Sequence, residues 1–467
     1  MRTFRGVPRR ARAVLRAGGM LRFSRRCALA FGLFLPGCYL SHEPGDLTDA
    51  GRPDLGDTPS ARLTRSRDVD GDGRADVLVG SLNPSRVYLF RGSATGLHGV
   101  PTTRLSFGDR FVGAAAIAGD LDADGYADVA IGVGGITEHR SVELHRGGPG
   151  GIAPSIAATL VPPDGFAGGF TTPIHAATIA RGDFDGDGID DVALPAASID
   201  PYTTEGTIAV SMFRGSAGTL PTIASDVFSS PVGRVTDSLG PQVGLSGVGD
   251  VDGDGCDDAV YAVGVPSLTV VGLLRGSRAG TWVPTTDLAT AYTQLPTAAG
   301  DVDGDGYDDV LVGTSTLYRG SPSGLQPPHG FDLAHAGRLF WATGAGDLDG
   351  DGHADLALAD VLDGHSDARL AVYRGTPAGL STRAAPAFSA PYDVPSPMYE
   401  TGGLGLAPVG DVDADGYPDL AVAAQNLDLV YLLRGGATLD HFDVAIVDPE
   451  LSGERDGISH YFGYLVD

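Results

Sequence analysis

Asp68-Val69-Asp70-Gly71-Asp72-Gly73-Arg74-Ala75-Asp76 is a nine-residue phrase that returns six more times along the chain. The later copies begin at Asp120, Asp183, Asp250, Asp301, Asp347 and Asp411, and each keeps aspartate at positions 1, 3, 5 and 9 and glycine at position 6. The carboxylates so placed are Asp68, Asp70, Asp72 and Asp76; Asp120, Asp122, Asp124 and Asp128; Asp183, Asp185, Asp187 and Asp191; and Asp250, Asp252, Asp254 and Asp258. The last three copies supply Asp301, Asp303, Asp305 and Asp309; Asp347, Asp349, Asp351 and Asp355; and Asp411, Asp413, Asp415 and Asp419. Four carboxylates on a short, bent backbone suit a hard cation that takes six to eight oxygens, which points to calcium. Glycine at position 6 permits the left-handed turn that aims both ends of the loop at one ion.

An EF-hand loop also starts D-x-D-x-D-G, but it needs a bidentate Glu at position 12. Here position 12 is Val79, Ile131, Leu194, Tyr261, Val312, Leu358 and Val422. The fourth carboxylate comes at position 9 and a run such as Val77-Leu78-Val79 follows at once, so a strand leaves the loop. Position 7 varies (Arg74, Tyr126, Ile189, Cys256, Tyr307, His353, Tyr417), which makes its backbone carbonyl the expected ligand.

The first aspartates are 52, 63, 67, 51, 46 and 64 residues apart, a spacing of propeller blades and similar arrays. A second marker keeps step: an apolar strand ending in Arg-Gly, as in Val87-Tyr88-Leu89-Phe90-Arg91-Gly92. Arg146-Gly147, Arg214-Gly215, Arg275-Gly276, Arg319-Gly320, Arg374-Gly375 and Arg434-Gly435 complete that set, and the arginine is expected to serve as an ion-pair or turn residue. Each unit reads as strand, aspartate loop, strand, hairpin, strand ending in Arg-Gly, turn, strand. Seven such units predict an all-β, seven-bladed propeller over residues 59–467.

These motifs resemble the FG-GAP repeat, the unit of the integrin α-subunit propeller and of many bacterial surface proteins. Phe107-Gly108 ahead of the second loop matches the FG half, and Gly80 and Gly313 mark the reduced GAP position. The resemblance covers roughly residues 60–467 and implies that each calcium loop joins the first two strands of its blade. Tyr461-Phe462-Gly463-Tyr464-Leu465-Val466-Asp467 looks like the opening of an eighth repeat, while the first repeat has no FG before Asp68. This last strand is expected to enter blade 1 and close the ring.

The first 26 positions hold nine of the 32 basic residues and no acid, and Met20 is a second possible start. Ser24-Arg25-Arg26 precedes the apolar run Cys27–Leu35, too short to span a bilayer, so residues 1–37 read as a signal peptide. Leu35-Pro36-Gly37-Cys38 resembles a bacterial lipobox, which implies lipid attachment at Cys38; an ordinary secretory signal is the alternative. The arginine pair also resembles part of a twin-arginine signal, although Ala28 stands where that signal has Phe. Residues 38–58 are polar and rich in Gly, Pro and Asp, the composition of a flexible tether. The expected location is the outer membrane or cell surface as a lipoprotein, otherwise secretion, with membrane contact through the lipid anchor alone.

Net charge is −27, which argues against nucleic-acid binding, and every basic residue is arginine, a choice that points to no particular chemistry. The seven loops hold 7 × 4 = 28 aspartates, so bound calcium would neutralise much of that charge. Three cysteines, two of them in the leader, give no disulfide framework, and Cys256 has no motif around it that makes it a nucleophile. The eleven histidines form no zinc motif, and no hydrolase or nucleotide fingerprint occurs in a credible context. Arg181-Gly182-Asp183 spells an integrin-recognition tripeptide, but Asp183 opens the third loop and is committed there.

The function expected from sequence is a calcium-stabilised, monomeric surface module that binds a protein or a polysaccharide. The alternatives are a calcium-dependent lectin and, further off, a polysaccharide-active enzyme, since propellers of this kind accompany lyase and phospholipase domains. Residues 147–176 form the largest insert and are the expected ligand-facing stretch.

Overall fold

The structure is a computed structural model. It describes residues 59–467 except 82–84, 135–140, 165, 167–178, 200–204, 235–241, 266–267, 286–287, 291–295, 314, 328, 331–336, 363–367, 382–387, 391–403, 425–428, 440–441 and 448–461. The signal, Cys38 and tether readings fall outside the described residues.

The described residues form seven small antiparallel sheets. Blade 2 shows the pattern: Phe111–Gly119 lies innermost, followed outward by Asp128–Gly134, Ser141–His145 and Ala158–Leu160. The aspartate loop joins its first two strands, as the resemblance implied. Blades 3, 5, 6 and 7 repeat that order, and blade 4 adds the short strand Ala289–Thr290 beside its third strand.

Blade 1 departs from chain order. Its sheet runs Phe462–Val466, Val77–Ser81, Arg86–Phe90, Thr103–Ser106, so its innermost strand comes from the far end of the chain. Val79 sits opposite Val466 and Gly80 opposite Leu465. Leu78 and Asp467 exchange backbone hydrogen bonds of 2.6 and 3.0 Å. The innermost strands touch one another blade by blade, and Leu404–Gly410 of blade 7 touches Phe462–Val466 of blade 1. The ring is closed, and the C-terminal strand closes it.

The core is divided the same way. Seven hydrophobic clusters each draw on two neighbouring blades, from Leu78, Leu89, Val129 and Ile131 between blades 1 and 2 to Val77, Tyr88, Val409 and Ala421 between blades 7 and 1. Alternation explains this: successive residues of a strand face opposite sides of the sheet, so each blade feeds both its neighbours. No blade could bury its faces alone. Phe107, of the Phe-Gly pair ahead of the second loop, packs between blades 1 and 2.

A seven-residue helix, α1 (Pro59–Arg65), precedes the first loop and packs beside Leu404–Gly410. The sequence reading did not foresee it. Its sequence, Pro59-Ser-Ala-Arg-Leu-Thr-Arg65, is too short to show an apolar periodicity, and what fixes it is tertiary: Thr64 Oγ1 accepts the backbone N–H of Asp411 in blade 7 at 3.1 Å.

Candidate metal centres

Each loop is built by its own carboxylates. Position 1 folds the backbone: Asp68 Oδ1 accepts the N–H groups of Gly71 and Asp72 at 2.7 and 3.0 Å, and its Oδ2 accepts that of Gly73 at 2.9 Å. Position 5 holds the exit turn, since Asp72 Oδ1 accepts the N–H of Arg74 at 3.0 Å, and the same bond recurs in the six other loops. Position 2 anchors the loop in the core: Val69, Leu121, Phe184, Val251, Val302, Leu348 and Val412 are all fully buried. The position 6 glycines have φ between 85° and 96°, the left-handed region expected of them.

Position 9 is a clamp. Its Oδ2 accepts the position 2 N–H in all seven loops, at 2.9–3.2 Å. Its Oδ1 accepts the N–H of the glycine in the Arg-Gly pair, from Gly92 to Asp76 at 3.1 Å through Gly435 to Asp419 at 2.9 Å. The arginine of the same pair binds position 3. Arg275 reaches Asp252 at 2.5 Å, Arg319 reaches Asp303 at 2.6 Å, Arg374 reaches Asp349 at 2.8 Å and Arg434 reaches Asp413 at 3.3 Å. Arg91, Arg146 and Arg214 pair likewise with Asp70, Asp122 and Asp185. The two sequence markers are therefore one device, with both halves of Arg-Gly fastened to the loop's acids.

The set fits a cation. In the first three loops positions 1, 3 and 9 bring oxygens within 4.8 Å of one another, and in the fourth and fifth loops positions 1, 3 and 5 do so. Position 3 offers a buried oxygen with no hydrogen-bond partner: Oδ1 of Asp122, Asp185, Asp252, Asp303, Asp349 and Asp413. An orphaned carboxylate oxygen in a buried site is costly unless a cation meets it.

Without that cation the charges are strained. Burial pushes Asp128, Asp309 and Asp355 up to about 7 and Asp191, Asp258 and Asp419 up to about 8. The neighbouring loop carboxylates push the same way, against the backbone donors that favour the charged form.

Several contacts had no counterpart in the sequence reading. Position 4 is also left-handed, and Ala123 and Ala414, at φ 54° and 60°, share that conformation with the five glycines. A Cβ on Gly71 would stand 2.6 Å from the Tyr126 ring, and Gly253 and Gly350 face Tyr307 and Tyr417 in the same way. Position 7 side chains thus pack on the preceding blade's loop. Position 8 does likewise in three blades: Asp190, Asp257 and Asp308 accept the backbone N–H of Asp120, Asp183 and Asp250 at 2.9, 2.9 and 3.1 Å. Burial pushes these three up to about 7, 6 and 7. The pattern D-D at positions 8 and 9 was visible, but only in those three copies.

Cys256 is buried, and burial together with the Asp254 carboxylate pushes its thiol up to about 12, which leaves it unreactive. Arg181 is engaged with Asp467 at 2.5 Å, and the Asp183 carboxylate accepts the N–H groups of Asp187 and Gly188. The tripeptide is built into the fold.

Residues 68–131, 250–312 and 347–422 match the family model described as FG-GAP-like repeat. Among solved structures it is similar to a prolyl endopeptidase from a study of two such enzymes (TM-score 0.40, 15% identity, 84% of this chain and 52% of that one). Exotype rhamnogalacturonan lyase YesX gives a TM-score of 0.37 at 14% identity, covering 77% of this chain and 57% of that one. AofleA from Arthrobotrys oligospora gives 0.36 at 11% identity, covering 83% and 94%. The chain spans about half the length of the first two. The architecture rests on its own sheet order and closure.

Proposed function

We propose that this chain is a calcium-stabilised β-propeller, exported and held at the cell surface through Cys38, that binds a surface protein or a polysaccharide as a monomer. The observation that carries the calcium reading is the buried, unpartnered position 3 oxygen set among carboxylates in blade after blade. Oxygen-only donors, several per loop, select a hard cation of calcium's size over zinc or copper. The ion's role is structural, because the loops join strands deep in the blades and their carboxylates clamp the backbone of the Arg-Gly turn. Binding and folding are then linked.

What supports the binding role is the scaffold: a closed ring exposes loops of seven blades around one axis, and its sheets leave little edge to aggregate. The stretch 147–176 contains blade 2's outermost strand, Ala158–Leu160, and on either side of it Ile156 and Val161 are exposed apolar side chains that offer contact area to a partner. The lectin reading differs from the protein-partner reading only in what meets that surface.

The test is binding of the purified protein to a broad glycan array, with calcium and again with chelator. Saturable, calcium-dependent glycan hits establish the lectin. A folded, calcium-loaded sample that binds no glycan but captures a defined surface protein establishes the protein partner, and failure in both assays refutes the binding role.

A further inference from the structure

Every blade places a guanidinium against the same carboxylate, and the geometry splits that carboxylate's two oxygens between two tasks. Oδ2 of position 3 faces the arginine of the Arg-Gly pair in all seven blades. In six of them Oδ1 has no partner. In the first loop Asp70 Oδ1 takes a 3.2 Å bond from the Asp72 N–H instead. These aspartates are buried or nearly so, while the arginines are partly exposed and approach from the rim of the loop.

We infer that this arginine is a positioning residue for the loop's divalent cation. It fixes the rotation of the position 3 carboxylate so that one oxygen alone is presented to the ion. The inference rests on the calcium reading above and adds what sets each site's affinity. A ligand carboxylate needs its second oxygen satisfied, and an outer partner that does this also chooses its orientation. A charge-assisted bond from a planar guanidinium does both, and the adjacent glycine N–H, fastened to position 9, keeps the guanidinium's backbone in register with the loop. Two of the four carboxylates in each loop are thereby oriented by the turn after the third strand. That turn is tied in its own right to the preceding blade: the N–H of Ser321 reaches the Val251 carbonyl at 2.9 Å and that of Thr376 reaches Val302 at 3.1 Å. Loop occupancy and blade-to-blade stitching share one hinge point.

A lysine would keep the positive charge but offers a single mobile ammonium, so it should orient the carboxylate poorly. An arginine serving only as a counter-charge would be replaced by lysine without loss. An arginine competing with the metal would, when removed, leave a site that binds calcium more tightly.

The experiment counts calcium on the purified protein by native mass spectrometry and titrates it by calorimetry, for the wild type, Arg319→Met, Arg319→Lys and, in a separate blade, Arg374→Met. Both arginines lie partly exposed, so the variants are expected to fold; far-ultraviolet circular dichroism in calcium checks this, and the second blade supplies an independent case. The expected result is one calcium fewer in each methionine variant at a concentration that just saturates the wild type. Affinity at that loop should fall by about 10–100-fold, with Arg319→Lys recovering only part of it. An unchanged calcium count and affinity, full recovery by lysine, or tighter binding overturns the inference. A wild type that binds no calcium overturns the calcium reading itself, so the two failures are distinct.

Discussion

Arg67 and Asp467, 400 residues apart in the chain, meet at 2.7 Å between Nη2 and Oδ1. Arg67 is almost wholly buried, and Asp467 Oδ2 also accepts the N–H of Ile117 at 2.8 Å and a proton of Arg181 at 2.5 Å. One carboxylate therefore joins the segment before the first loop to the inner strands of blades 2 and 3. Burial lowers the Arg67 guanidinium to about 10, with Arg181 adding to the effect and Asp467 opposing it. Burial also acts against the Asp467 charge, but Arg181 and Arg67 outweigh it and hold that carboxyl far below the usual range.

Asp467→Ala leaves two guanidiniums without their shared acid, one of them buried. Breaking a buried pair by removing one partner costs about 3–5 kcal/mol. Scanning calorimetry should show a melting temperature lowered by several degrees, and removal of residues 462–467 should lower it further because the inner strand of blade 1 goes too.

The glycine of each Arg-Gly pair has no room for a side chain. A Cβ on Gly276 would stand 2.3 Å from the Asp257 carbonyl and 2.4 Å from that of Phe184 in the preceding blade. Gly276→Ala should destabilise by about 1–3 kcal/mol or more, as overpacked sites do. Gly218→Ala, where nothing lies within 4 Å, meets only the cost of its positive φ and serves as the control in denaturant titrations.

Position 8 carries alanine in three blades and proline in another, so its aspartates are dispensable in principle. Asp308→Ala removes the 3.1 Å cap on the Asp250 N–H but also a carboxyl that burial holds at about 7. The two effects oppose, and the expected loss is within about 1 kcal/mol, the net worth of a single hydrogen bond. Urea unfolding with calcium present measures it.

Metal-free stability should fall as pH rises. Six of the position 9 carboxyls sit at about 7 to 8 in the folded chain, against about 3.9 unfolded, and burial raises Asp76 in the same direction. The folded state thus binds more protons between these values, and its advantage, full below about pH 4, is lost as pH climbs through about 7 to 8. Asp467 runs the other way, its contribution lost only in strong acid. Melts in chelator from about pH 5 to 8.5 should move downward. With calcium the trend should reverse, since the ion takes the deprotonated loop and its affinity rises over the same range.

What the sequence showed best were features repeated within one blade. The aspartate spacing, the strand after position 9 and the Arg-Gly strand end are local and recur seven times, so they announced both the blades and the loops. Tyr461–Asp467 could be assigned to blade 1 because it matched a repeat opening that the first unit lacked. Contacts between neighbouring repeats were not legible. Tyr126 on Gly71 spans 55 positions, and the variety at position 7 hid the fact that each residue there rests on the loop before it. Helix α1 was missed because its anchor, Thr64 on Asp411, depends on ring closure and leaves no trace in nearby residues.

The placement of α1 also decides where a mechanical load enters the molecule. The chain ahead of Pro59 leads into a helix whose Thr64 grips the loop of blade 7, and three residues later Arg67 grips Asp467. A pull from the amino-terminal side is delivered across the seam of the ring, to both of its ends at once, and cannot peel blade 1 from its outer strand. Rupture would begin at the seam, with the side-chain grips of Thr64 and Arg67 the first bonds to carry the force.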